Sequence, residues 1–436
     1  MTTLFKNAWV LTMDDDWHEH RCGWLLTEDD RIAALGSGEP PMNADHVIDC
    51  QGGILLPGFV NLHGHVSMVP FRSMGDDCPD RLRRFLFPLE NQAMTPELVY
   101  LSAAYGIAEM LRSGTTSFLD MYYFEEEVAR ACHESGVRAW LGETVISQPT
   151  CDQPQPNGSL AYAEAMLKKG RQGLVTPIIA PHGTTTVDEE ALRAAHALAV
   201  QYNTFITLHV SEMDYEMQFF REKGMTPMQY LHSIGLADEH LLAAHCIHLT
   251  ADDIALIKRQ NVRVAHCIGS NTKAGKGVAP MKQLAAAGVT YGLGTDGPSS
   301  GNTLSMFDQL RLFAVSHKTA NHERGLFPAR EIVRAATRGG AEALGMADRI
   351  GSLKVGMQAD LSVVSLDAIH MFPVYNPYSA LVYGANSSDV SHVMVNGRLC
   401  VEDGRVLTVQ VAEIRQRLNL AMKPFMEAAA KYADMI

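Results

Sequence analysis

The sequence predicts an α/β protein: a parallel (β/α)8 barrel flanked by a small β-sandwich domain built from both chain ends. Three observations carry this. Eight short apolar runs ending in polar residues or glycine recur at 58–65, 115–121, 138–146, 175–182, 204–211, 240–246, 262–268 and 290–296. Amphipathic helical stretches such as 95–113, 188–201 and 250–259 lie between them. Strand-and-turn texture fills the first 57 residues and returns after about residue 350. Strand–helix alternation on this scale is the pattern of a closed parallel barrel. No run is followed by the G-x-G-x-x-G turn of a dinucleotide-binding open sheet.

Taken in order, residues 8–13 and 31–36 read as strands broken by Asp, Glu, Gly and Pro turns. The barrel is expected over 58–351, with 148–159 as a loop because it holds three prolines and Asn157-Gly158. Residues 359–366, 390–396 and 398–401 read as returning strands, so 1–57 and 352–410 are expected to pair into the small domain. Residues 411–436 have the pattern of a closing amphipathic helix.

Composition narrows the partner. The 436 residues carry a formal charge of −13, from 49 acidic against 36 basic side chains. The longest basic run is Arg81-Leu82-Arg83-Arg84. Such a surface repels nucleic acid. No stretch approaches the roughly 18 uncharged apolar residues of a membrane span. The N-terminus lacks the basic region and apolar core of a signal peptide. Eight scattered cysteines without a C-x-x-C pair read as reduced thiols, so a cytoplasmic location and a small-molecule partner are expected.

The chemistry concentrates at strand ends. In Asn61-Leu62-His63-Gly64-His65 the two histidines share a strand face and are expected at the barrel mouth. His209 ends a run with inward parity, and His245 ends another. Asp296 ends a third above two inward glycines. Packing gives no reason to place polar groups at so many equivalent points, whereas a metal centre does. Three histidines and an aspartate with an open position suit one divalent ion: zinc first, with iron, nickel or manganese as alternatives. The fourth run ends Ala180-Pro181-His182 without a lysine to bridge a second metal. Glu212 lies three residues after His209, so it reaches the mouth only if the strand ends or bulges near Ser211.

At this point the residues carry a resemblance. His63-Gly64-His65, Leu208-His209-Val210-Ser211-Glu212, Ala244-His245-Cys246 and Gly294-Thr295-Asp296-Gly297 are similar to the motif set of the amidohydrolase superfamily. Phe118-Leu119-Asp120-Met121-Tyr122 and Gly351-Ser352-Leu353-Lys354 extend the likeness almost end to end. More narrowly, the chain resembles the branch of S-adenosylhomocysteine/5′-methylthioadenosine deaminases and triazine hydrolases. The resemblance implies a TIM-like barrel with His63, His65, His209 and Asp296 holding the metal. It implies that Asp296 takes a proton from the attacking water, that His245 orients that water, and that a protonated Glu212 gives its proton to a ring nitrogen. It also implies a homodimer or homotetramer.

The family further suggests substrate contacts. Glu90 resembles the glutamate that holds ribose hydroxyls, though a helix-start glutamate is the plainer reading. His182 resembles a purine-ring contact, with a structural histidine as the alternative. Glu143 stands where adenosine-type relatives carry arginine. Facing the pocket it would disfavour an anionic tail, and otherwise it pairs with a nearby base. The aromatic expected between the first barrel strand and Glu90 is not present as tryptophan, leaving Phe71, Phe85 and Phe87 as candidates. Lys273-Ala274-Gly275-Lys276-Gly277 lacks the phosphate-loop pattern and reads as an active-site loop, while His266 and Ser270-Asn271 reach substrate or brace the mouth. The expected reaction is hydrolytic deamination of an adenosine-, methylthioadenosine- or S-adenosylhomocysteine-type ring. The alternative is a triazine, pterin, guanine or pyrimidine substrate with the same chemistry. A non-catalytic binding relative ranks last, because all four ligand positions are filled.

Overall fold

The computed structural model describes residues 1–40 and 43–435. The N-terminal segment supplies β1 (Thr2–Leu11), β2 (Glu19–Glu28), β3 (Arg31–Ser37), β4 (His46–Asp49) and β5 (Ile54–Pro57). The barrel strands are β6 (Phe59–Gly64), β7 (Thr115–Tyr122), β8 (Arg138–Val145), β9 (Val175–Pro181), β10 (Ile206–Val210), β11 (Leu241–His245), β12 (Arg263–His266) and β13 (Tyr291–Leu293). The chain returns through β14 (Leu361–Val364), β15 (Val390–Val395), β16 (Arg398–Glu402) and β17 (Arg405–Val406). Each of the eight predicted runs holds one barrel strand. Helices begin where polar caps stand: Thr95, Asp188 and Thr250 accept hydrogen bonds from Leu98, Ala191 and Asp253 N–H groups.

Strands β6 to β13 pair in sequence order, all parallel. Val60, Leu62, Leu119, Trp140, Ile178, Leu242, Ala244 and Ala265 pack together as the barrel interior. The seam between β6 and β13 closes with few bonds. Asp296 N–H donates to the His63 carbonyl at 3.0 Å. Asn61 accepts from Thr295 N–H at 3.0 Å and donates to its hydroxyl at 2.7 Å. Glycine is required here: a Cβ on Gly294 would lie 2.9 Å from both Cβ and N of His63. A Cβ on Gly292 would lie 2.8 Å from the Cα of Gly340.

The other nine strands form one bonded sheet in the order β17-β16-β15-β14-β5-β1-β2-β3, with β4 added beside β1. Strand β14 lies antiparallel between β5 and β15, so the two chain ends interleave. Phe5, Val10, Leu25, Ile32, Leu55, Val363 and Met394 share its core. The β3 edge is covered by residues 356–357, which exchange hydrogen bonds of 2.8 and 2.9 Å with Ile32.

One ion pair fastens the sheet to the barrel. Arg138, at the start of β8, donates to both oxygens of Asp360, 2.9 and 3.1 Å away, and both side chains are 1% exposed. Asp360 also accepts from Asn396 N–H at 2.7 Å. The helix Val411–Ala429 then crosses the outside, seating Phe425 edge-on against Phe71 at 4.8 Å. Among the described residues no helix is long and apolar enough to cross a membrane. Removing one partner of a fully buried pair strands the other charge. Asp360→Ala should therefore lower unfolding free energy by about 3–5 kcal/mol in a denaturant titration. A loss under about 1 kcal/mol would mean that the pair does not hold the two sheets together.

Candidate functional site

The candidate metal ligands reach one point through three different backbone devices. In β6, Asn61 pairs with Phe118 but Gly64 pairs with Asp120, so one extra residue is inserted between them. This bulge lets His63 turn inward although Leu62 beside it already does. In β10, plain alternation suffices, since Phe205 lies in the interior cluster and His209 shares its parity. In β11, Ala244 holds the inward position, and His245 enters only because its φ is 69°. Asp296 has φ 59° and Ser211 has φ 52°. Left-handed backbone at three non-glycine strand ends is strain gathered where the chemistry sits.

His63, His65 and His209 offer ring nitrogens that all lie within 4.8 Å of one another. The residues fit a cation. Both ring nitrogens of His63 are buried without a hydrogen-bond partner among the described residues, an arrangement that is costly unless a ligand satisfies it. His65 Nδ1 donates to the Met121 carbonyl at 2.6 Å, and His209 Nδ1 donates to the His182 carbonyl. Each therefore turns Nε2 inward, the tautomer control typical of metal-ligating histidine. Asp296 Oδ1 lies 3.3 Å from His65 Nε2 and 3.9 Å from His63 Nε2. A second triad of His63, His245 and Cys267 has the same spacing. Burial pushes the Cys267 thiol well above its usual range, so it makes the poorer ligand.

Protonation follows from these neighbours. Burial, with His209 and His65 alongside, holds His63 well below the usual histidine range. Burial brings His209 down to about 4. Burial would lower His65 too, but its hydrogen bond to Asp296 and that charge raise it to about 9. Burial works to raise Asp296, yet His65, His245 and His63 outweigh it and keep the carboxylate ionised.

Glu212 reaches the mouth as expected: β10 stops at Val210 and Ser211 turns the chain. Glu216 clamps that turn, accepting from Ser211 and Glu212 N–H groups at 3.0 and 2.9 Å and from the Thr184 hydroxyl at 2.5 Å. The resemblance implies a protonated Glu212, whereas its neighbours in the metal-free protein favour the carboxylate. Burial would raise it, but His245, Lys276 and His209 hold it well below the usual carboxylate range. Lys276 donates directly to Oε1, and His245 Nε2 stands 3.7 Å from the same oxygen. His245 is itself fixed through Nδ1 to Asn271 Oδ1 at 2.8 Å.

A cavity of about 570 Å³ opens onto this centre, lined by His65, His209, Glu212, His245 and Asp296. Glu90 and His182 line it too. Glu90 is in the helix Phe87–Ala93, accepts from the Tyr122 hydroxyl at 2.9 Å, and is raised by burial to about 7. His182 packs 5.3 Å from Phe87, the one expected aromatic that lines the pocket. Phe71 and Phe85 are buried in the core. Glu143 is a correction. Trp140 fixes the inward parity of β8, Thr144 takes the pocket position, and Glu143 faces outward to accept from Glu125 N–H at 3.1 Å. His266 is also drawn away from the mouth, pairing with His317 at 2.9 Å. The sequence places Lys276 in an expected active-site loop and Tyr122 in a family motif without giving either a role, and Glu216 carries only the signal of an acid four residues after Glu212, on the helix Asp214–Glu222.

The amidohydrolase family model matches residues 54–400. A 5-methylthioadenosine/S-adenosylhomocysteine deaminase of Syntrophobacter fumaroxidans is 38% identical over 423 residues, covering 95% of this chain and 96% of its own. A 5′-deoxyadenosine deaminase of Methanosarcina mazei is 34% identical, covering 96% and 97%. The crystal structure of an adenosine deaminase from Xanthomonas campestris with bound zinc matches with a TM-score of 0.93 at 30% identity, covering 98% of each chain.

A metal entering this centre must displace the proton that His65 holds up to about pH 9. The metal affinity of the metal-free protein should thus rise about tenfold per pH unit through the neutral range and level off near His65's own titration. Chelator competition across a pH series measures this. A flat profile would put His65 outside the ligand set.

Proposed function

The chain belongs to the amidohydrolase family, and we propose that His63, His65, His209 and Asp296 hold one zinc ion with which it deaminates adenosine-type nucleosides. It is a metal-dependent aminohydrolase acting on a purine-like ring. The observation that carries the site assignment is the clustering of His63, His65 and His209 ring nitrogens within 4.8 Å of one another, with Asp296 Oδ1 3.3 and 3.9 Å from two of them, beside a cavity that Glu212 also lines. The names of both relatives and of the zinc-bound structure support adenosine derivatives as the substrate class. When bound, a divalent cation lowers the pKa of a coordinated water from about 15.7 toward about 7 and so supplies a nucleophile at neutral pH.

The protein's own residues do the rest. Glu90 and Tyr122 lie together in the wall, where the carboxylate accepts from a vicinal diol. His182 and Phe87 flank the ring. His245, its other nitrogen fixed by Asn271, orients the attacking water. Asp296, ionised and buried, takes a proton from that water and passes it to the departing amino nitrogen. Glu212 gives a proton to the adjacent ring nitrogen, so one must reach it first, because it is ionised at rest. With Glu143 turned outward, the pocket loses the negative charge that argued against anionic tails. We place the enzyme in the cytoplasm, which its eight unpaired cysteines support. We also infer a homo-oligomer, supported by the neighbouring side chains of Ile369, Phe372 and Tyr375, which are 97, 85 and 89% exposed.

Ammonia release by zinc-loaded protein from adenosine, 5′-methylthioadenosine, S-adenosylhomocysteine, guanine, pterin, cytosine and aminotriazines tests the reading. Turnover is expected with the adenosine derivatives, and Glu212→Gln should lower kcat by about 10²–10⁴-fold. Silence on the nucleosides with metal bound would overturn it. Because Glu90 ionises near 7, the KM for ribosides should fall as pH rises through that value. In Glu90→Gln the dependence should vanish, and the preference for adenosine over its 2′,3′-dideoxy analogue should drop about tenfold.

A further inference from the structure

Glu212 is the pocket's proton donor to the ring, yet it is held as a carboxylate. Among the described residues Lys276 is the one side-chain donor within hydrogen-bond reach of that carboxylate, while His245 stands 3.7 Å away. Lys276 is 24% exposed and Glu212 14%, and both line the cavity, so the ammonium keeps contact with solvent while it holds the carboxylate. The other lysine of this loop, Lys273, is engaged elsewhere, 2.7 Å from Asp76.

The loop is built to present Lys276. Gly275 and Gly277 flank it with φ of 65° and 116°, values that L side chains rarely adopt. Its backbone N–H donates to the carbonyl of Asn271 at 3.0 Å, and the side chain of that asparagine fixes His245. One residue thus ties together the lysine and the histidine that face the same carboxylate oxygen.

We propose that Lys276 is a positioning residue for Glu212 and the source of the proton that Glu212 delivers to the substrate ring. This rests on the deaminase reading above. As the nucleophile adds to the amino-bearing carbon, the neighbouring ring nitrogen becomes basic. A Lys276 N–H bond breaks as the Glu212 Oε1–H bond forms, and that bond breaks as the ring N–H bond forms. Lys276, left as a neutral amine, takes its next proton from solvent. Of the attacking water's two protons, one leaves on ammonia and the other returns to solvent. No group changes oxidation state.

The test uses zinc-loaded full-length protein, with adenosine turnover followed by the ultraviolet change of the purine and metal content measured in parallel. Lys276→Ala should lower kcat by about 10²-fold while KM moves less than about threefold and bound zinc is unchanged. Added ethylammonium should restore kcat, whereas tetramethylammonium, with equal charge and no proton, should not. Lys276→Arg keeps the ion pair but scarcely releases a proton, so it should remain impaired and respond to ethylammonium. Unchanged kcat in Lys276→Ala, equal rescue by the two cations, or full activity in Lys276→Arg overturns the proposal while the deaminase stands. Wild-type protein that turns over none of the nucleosides overturns the deaminase reading and this proposal with it.

Discussion

The site depends on the closure of the barrel between its first and last strands. Strand β13 is three residues long and forms no ladder with β6. Asn61 substitutes for the missing ladder by bonding both the backbone and the hydroxyl of Thr295. The next residue, Asp296, bonds the His63 carbonyl. The Asp296 carboxylate is thereby set against the His63 imidazole, the two proposed ligands, by the bonds that close the sheet. Glycines at 292 and 294 permit the approach, since any side chain there meets Gly340 or His63. Architecture and chemistry share the same atoms at this seam.

Around the seam the protein sorts its buried carboxyls by their neighbours. Asp296 and Glu212 face histidines and a lysine and stay ionised. Asp120, Glu125 and Glu143 lie behind β7 and β8, where burial pushes Asp120 to about 7 and the other two well above the carboxylate range. Glu125 and Glu143 carry protons and serve structure. Asp120 accepts from Val66 N–H at 2.7 Å and so steadies the backbone just after His65. The carboxylates that face histidines or lysine keep their charge, while burial without such partners protonates Glu125 and Glu143.

Much of this was legible in the residue order, for identifiable reasons. Strand runs, amphipathic stretches and the family motifs are local patterns, so the barrel, its eight strands and the convergence of His63, His65, His209, His245, Glu212 and Asp296 could be read directly. The turn at Ser211 followed from parity alone. Glu143 went astray because the same parity was not applied to β8, where Trp140 and Thr144 take the inward positions. The bulge in β6 and the left-handed backbone at His245 depend on packing against neighbouring strands, which no local pattern announces. The loop of Lys276 is legible as part of the active site, but its pairing with Glu212 is not, because 64 residues separate the two and only the fold joins them.

The interleaved small sheet also sets a timetable for making the molecule. Strand β5 emerges early in synthesis, but its antiparallel neighbour β14 lies some 300 residues later, beyond the whole barrel. Until then β5 has an open edge of unpaired backbone groups. Asp360, the anchor for Arg138 at the foot of β8, is equally late. The barrel must therefore assemble over an unfinished floor, with long-range pairing as its last and slowest event. A ribosome that stalls between Asp296 and β14 releases a chain with every candidate site residue made and the β5 edge still unpaired.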